Sequence, residues 1–285
     1  GYCSLVSNTT GTENVAMGTE ALDSNTTGNY NTGVGFQSLQ AVTTGGYNTG
    51  VGYKTLFTNT GSLNTAVGWS ALLSNTSASN NVAVGTNSSE KTTTGDQNVS
   101  VGVDSLNKNT TGTENTALGR FALCANTTAS NNTAVGKAAL QSNTTGNSNV
   151  AVGTSALQSV TGSENTGVGH NTMNSAVTGQ GNAAFGYSSM TALTSGSTNT
   201  SVGNSVFPSL TTGSNNVAVG PGAGISLSTG SNNLFLGHDA GRTGSPGGIV
   251  TTASNRIALG DENISSAHIQ VDWTVASDQR DKTDF

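Results

Sequence analysis

The sequence repeats itself. The pentapeptide "NVAMG" at 14–18 returns as "NTGVG" at 31–35 and 48–52, "NTAVG" at 64–68 and "NVAVG" at 81–85, and so on down the chain. Numbered by its closing glycine, the unit recurs at Gly18, Gly35, Gly52, Gly68, Gly85, Gly102, Gly119, Gly136, Gly153, Gly169, Gly186, Gly203, Gly220 and Gly237. The step from Gly18 to Gly35 is the common one. Only Gly52 to Gly68 and Gly153 to Gly169 are shorter, each by a single position. A fixed period in this range means a stacked architecture with one turn of chain per unit.

Positions within the unit differ in character. An apolar residue always precedes the glycine, and a small one usually stands two before it. Asn stands four before it in every copy, as Asn14, Asn31, Asn48, Asn64, Asn81, Asn98, Asn115, Asn132, Asn149 and onward. Leu usually follows four later, as in Leu22, Leu39 and Leu56. The alternation before the glycine suits a short strand. The glycine admits a positive φ. The Leu segment reads as a second short strand, and the "NTTG" cluster is turn chemistry. No window sustains helical periodicity over the roughly 10–12 residues that a helix needs. The fold class expected is all-β: a parallel β-solenoid or β-roll, two short strands and two turns per unit, in side-by-side or intertwined copies. Stacked about 4.8 Å apart, identical Asn side chains can hydrogen-bond along the rod. Asn also tolerates a left-handed turn. The small strand residue predicts a crowded face approached by another strand or chain.

Composition narrows function. Of 285 residues only 8% are charged and 5% aromatic, and the net charge is −6 with scattered basic groups. No basic stripe offers itself to nucleic acid, and no apolar run reaches the roughly 18 residues that would offer themselves to a membrane. The apolar columns hold register from Met17 to Leu236, which opposes disorder. With about two large apolar side chains per unit, the core is thin against the entropy of ordering the whole unit. An obligate oligomer is therefore expected.

Cys3 and Cys124 stand seven units apart, roughly 33 Å at ~4.8 Å per unit, too far to pair within one straight rod. They read as two free thiols or as interchain partners of their own copies. The Asn-x-Thr triplets at Asn8, Asn25, Asn109, Asn126 and Asn143 follow from the repeated turn rather than from glycan attachment. His170, His238 and His268 have no metal spacing, and no cofactor motif occurs. The residue after the closing glycine is Phe36, Tyr53 and Trp69 in three consecutive units. Such a ladder can bind sugar rings of a host surface or seal contacts between chains. Gly1 falls one full period before Gly18, so the chain starts in mid-unit and reads as a segment of a longer protein.

The "NVAVG" unit resembles the head repeat of trimeric autotransporter adhesins over about residues 1–243, although its period is longer than that family usually has. The resemblance implies a left-handed parallel β-roll in a homotrimer. After Gly237 the period would close the next copy at position 254, but "RIALG" closes only at Gly260, the additional residues forming "TGSPGG" at 243–248. "HIQVDWTV" (268–275) alternates as a strand does, and "SDQRDKTDF" (277–285) resembles the opening of the endosialidase-type intramolecular chaperone of phage tail fibres and spikes. Asp281 and Phe285 depart from the usual apolar residue and Ile of that motif. The resemblance implies one self-cleavage before Ser277, with Ser277 as nucleophile and Lys282 as its base; such a lysine needs a depressed pKa.

The organisation expected is a shaft at 1–243, an irregular neck with a terminal strand at 244–276, and the start of a chaperone-like segment at 277–285. The function expected is a trimeric structural and adhesive shaft of a phage tail fibre or spike in the virion. Its partners would be itself, other tail proteins and a host-surface glycan or protein; it would use no cofactor and no metal and insert in no membrane. The rivals are a bacterial surface adhesin of the autotransporter kind, an ice-binding solenoid and a polysaccharide-cleaving enzyme. The mixed Thr, Val and Ala three before the glycine oppose the second, and the absence of a paired carboxylate cluster opposes the third.

Overall fold

The computed structural model describes residues 1–245 and 247–266. Within them the chain is an all-β solenoid with one coil per sequence unit and no helix. Each coil supplies one three-residue strand: β1 Val15–Met17, β2 Thr32–Val34, β3 Thr49–Val51, β4 Thr65–Val67, β5 Val82–Val84, β6 Val99–Val101, β7 Thr116–Leu118, β8 Thr133–Val135, β9 Val150–Val152, β10 Thr166–Val168, β11 Ala183–Phe185, β12 Thr200–Val202, β13 Val217–Val219, β14 Leu234–Leu236 and β15 Ile257–Leu259. All pair in parallel with their sequence neighbours in one fifteen-stranded sheet. Equivalent repeat positions face each other, as in Thr32↔Thr49 and Val34↔Val51. At ~4.8 Å per step the sheet is roughly 67 Å long. The longer spacing before Gly260 is absorbed without loss of register, since Leu236 pairs with Leu259.

Three left-handed positions recur from coil to coil. In the second coil these are Tyr30 (φ 58°), Gln37 (φ 54°) and Leu39 (φ 56°). The closing glycine takes a fourth conformation, φ 128° at Gly35, that a side chain rarely adopts. A Cβ there would also collide with the Gly52 carbonyl oxygen. The Leu segment is therefore a tight turn, not a second strand, which corrects the expectation of two strands per unit. Alternate left-handed residues fold the chain back inside four positions, where a strand would run straight. The strain, about 1–2 kcal/mol per residue, is offset at the Leu positions by complete burial, worth about 1.5–3 kcal/mol. Leu22, Leu39, Leu56, Leu72, Leu106 and Leu123 are all fully enclosed. Their amides still continue the ladder, as in Leu39 N–H to the Thr55 carbonyl at 2.9 Å.

Strand parity decides what faces the interior. The residue two before the glycine points in, and those one and three before it point out. The always-apolar residue before the glycine therefore lies on the surface, and most coils from Leu22 to Leu140 bury one large apolar side chain, at the Leu position, rather than two. The small strand residue is crowded by the chain's own Leu column, not by another chain: a Cβ on Gly33 would meet Leu22 Cγ at 3.3 Å.

Much of the remaining interior is amide. The column seven after the glycine holds Asn25, Asn59, Asn75, Asn109, Asn126 and Asn143, all fully buried, with Val42 and Thr92 between them. From Val160 onward it turns apolar, through Leu193, Leu210 and Leu227, and in the coil between Val160 and Leu193 the buried residue is Val177, eight after the glycine. The triplet asparagines thus point inward, apart from the exposed Asn8. The buried hydrophobic core is split into two bodies, residues 22–83 and 106–258. Between them Ser89 occupies the Leu column. It hydrogen-bonds Ser100 at 2.7 Å, and Ser100 is also 2.7 Å from Ser88.

Candidate functional site

The predicted Asn ladder is structural and complete. Asn31 N–H donates to Asn14 Oδ1 at 2.9 Å, and Asn48 N–H donates to Asn31 Oδ1 at 3.0 Å. The Asn48 amide also donates to Asn31 Oδ1 and to the Gly61 carbonyl. The same pattern runs through Asn64, Asn81, Asn98, Asn115, Asn132 and Asn149. These asparagines are not themselves left-handed; the residue before each one is, as Tyr47 (φ 59°) is before Asn48. That frees the Asn side chain to reach back to the preceding coil. Held from both sides, the ladder offers no group to a ligand.

The outer sheet face carries no charge. Two outward residues on each of fifteen strands make thirty positions, and all thirty are Val, Thr, Leu, Ile, Met, Ala or Phe. None of them is buried. The residue five before the glycine borders this face on one side, where Asn215, Asn232 and Asn255 share a groove with Val217, Leu234 and Ile257. The residue after the glycine borders the other.

Phe36, Tyr53 and Trp69 stand in that second border. Their rings stack along the rod, Phe36 on Tyr53 at 5.5 Å and Tyr53 on Trp69 at 4.1 Å between centroids. Stacking covers both faces of Tyr53, so the column presents ring edges and the two end faces of Phe36 and Trp69. Lys54 Nζ lies 5.5 Å from the Tyr53 ring and 5.1 Å from Phe57. The opposite border is aromatic in the same coils: Tyr30 stacks on Tyr47 at 4.8 Å, followed by the exposed Leu63. Spacing alone could have found this second column, because Tyr30, Tyr47 and Leu63 share one repeat position.

Near the far end of the described rod, His238 Nδ1 lies 3.1 Å from Asp261 Oδ2 and 3.7 Å from Asp239 Oδ2. Arg242 pairs with Asp239. The His238 hydrogen bond, with those from Asn263, holds the Asp261 carboxyl below its ordinary range. Burial pushes the Cys124 thiol up, and Asp104 adds to the effect. Among the described residues no three metal-ligating side chains converge, and no helix is long and apolar enough to cross a membrane. Ser277, Lys282 and His268 lie outside the described residues.

No family model matches the sequence, and no curated protein and no solved structure matches it either.

Proposed function

We propose that this chain is the shaft of a homotrimeric attachment fibre of the phage tail-fibre or tail-spike kind, carried on the virion. Its task is mechanical: to hold a host-recognition element at a distance and to present a repeated surface to a host glycan or protein and to neighbouring tail proteins. The observation that carries the reading is the uncharged outer face. A continuous parallel sheet of fifteen strands leaves thirty uncharged, mostly apolar side chains uncovered along a thin rod, and exposed patches on that scale mark contact surfaces. The "SDQRDKTDF" segment supports the phage assignment through its resemblance to the self-cleaving chaperone. On that resemblance, Ser277 Oγ attacks the Ala276 carbonyl, Lys282 takes the hydroxyl proton and passes it to the leaving Ser277 amine, and water hydrolyses the resulting ester to free the Ala276 carboxylate, so that the Ala276–Ser277 bond is cut once and no other substrate is turned over. The "NVAVG" unit equally favours a bacterial surface adhesin of the autotransporter kind, as the second reading.

Native and denatured masses, measured side by side, test the proposal. The expected native mass is three times that of the chain. In a longer version carrying residues beyond 285, the expected denatured shaft ends at Ala276. A monomer of unchanged length refutes both the trimer and the cleavage. A trimer left uncut, with a membrane-anchoring barrel encoded downstream, transfers the protein to the adhesin reading.

A further inference from the structure

In three coils the two columns that border the outer face match each other chemically. Beside β2 stand Tyr30 and Phe36, and beside β3 Tyr47 and Tyr53. Beside β7 an acid, Glu114, is matched with a base, Arg120. Within one chain these partners cannot meet. About six residues of extended backbone separate them by up to about 20 Å, and the strand lies between. Glu114 and Arg120 are both exposed, and neither has an ion-pair partner among the described residues. The Arg120 guanidinium rests instead 4.4 Å from the Phe121 ring.

From this we infer that the outer face packs against further copies of the same chain, with all copies parallel and in register around a common axis. The inference rests on the reading of the chain as a self-associating shaft and adds its geometry. In a closed ring of parallel copies, the border before the strand of one copy abuts the border after the strand of the next. Coil n meets coil n, so aromatic meets aromatic beside β2 and β3, and Glu114 of one copy meets Arg120 of its neighbour. An antiparallel pair centred on β8 would set the aromatic coils of β2 to β4 against β12 to β14, whose border residues include Thr198, Asn215 and Asn232. It would also leave Glu114 and Arg120 opposite coil β9, which bears Ser148 and Thr154. Only the parallel arrangement uses every match. The uncharged strand faces then meet at the axis, where a charge would be costly to desolvate.

The test is a cysteine pair. In a chain carrying C3S and C124S, E114C and R120C are introduced together and oxidised. The expected product is a covalently closed oligomer at the full native mass on a non-reducing gel. The displaced pair E114C with K137C, one coil out of register, should crosslink far less. Separately, E114R should weaken association about tenfold or more by placing like charges together, and E114R with R120E should restore it. An oligomer in which the E114C/R120C pair stays uncrosslinked overturns the in-register parallel geometry while leaving the shaft reading standing. A monomer overturns both.

Discussion

The most demanding positions are single residues whose backbone is left-handed. Leu140 (φ 50°) and Ser155 (φ 55°) share that conformation with opposite consequences. Leu140 is fully enclosed, and L140A should lower stability by about 2–5 kcal/mol, read from denaturant midpoints. Ser155 makes only a backbone bond, its N–H to the Lys137 carbonyl. S155G should therefore raise stability by up to about 1 kcal/mol, by relieving strain that no burial offsets. The Asn ladder is unforgiving for a different reason. N115A leaves the Asn132 N–H without its acceptor and removes one of two donors to the Ala129 carbonyl, which Asn126 still supplies. The unpaired N–H costs about 1–3 kcal/mol. An unchanged denaturation midpoint in N115A would refute the account of the ladder as a structural support.

At the scale of the coil, the serine plug between the two core bodies is the clearest weak element. S100A alone should destabilise, because Ser88 and Ser89 lose their 2.7 Å partner. S89L with S100A restores the Leu-on-Ala contact found at Leu106 and Ala117, and should raise the thermal midpoint above that of the parent chain by a few degrees. The repeat made the stacking, the strand position and the Asn ladder legible from residues alone, since each depends on periodicity and on one side chain's chemistry. Parity was not legible. "TAV" places Val outward only because Asn64, four before the glycine, must turn in to reach Asn48, and that constraint is set between coils. The left-handed Leu escaped for a related reason: Leu has no preference for that conformation, and only the enclosed interior makes it favourable. Of the surface features, the aromatic column at Phe36, Tyr53 and Trp69 stood out in the sequence. Its matching column at Tyr30 and Tyr47 acquires meaning once both are seen to border one face.

At the scale of the molecule, length is modular. Deleting residues 120–136 removes one coil and joins Gly119 to Lys137 in the correct phase; the rod should shorten by about 4.8 Å and stay folded. Scattering in solution would show a shorter particle with the same cross-section, whereas deleting only half a coil at the same place should unfold the neighbouring coils. The end of the described rod responds to acid. Asp261 titrates below its ordinary range in the folded chain, so its contribution is present above the unfolded carboxylate pKa of about 4 and lost as pH falls through the lower folded value. D261N should therefore be less stable than the parent chain at pH 6, and the difference should narrow as pH falls below about 4.

The interior column that changes from Asn to Val and Leu past residue 150 gives the rod two thermal characters. Apolar burial weakens on cooling, whereas hydrogen-bonded amide ladders depend far less on the heat capacity of exposed hydrocarbon. Coils built on Val177, Leu193, Leu210 and Leu227 should loosen first near freezing, and coils built on Asn59, Asn75, Asn109 and Asn126 should hold there. One filament thus joins two materials end to end, as a bimetallic strip does, and the seam between them is a place where temperature alone can decide which half yields.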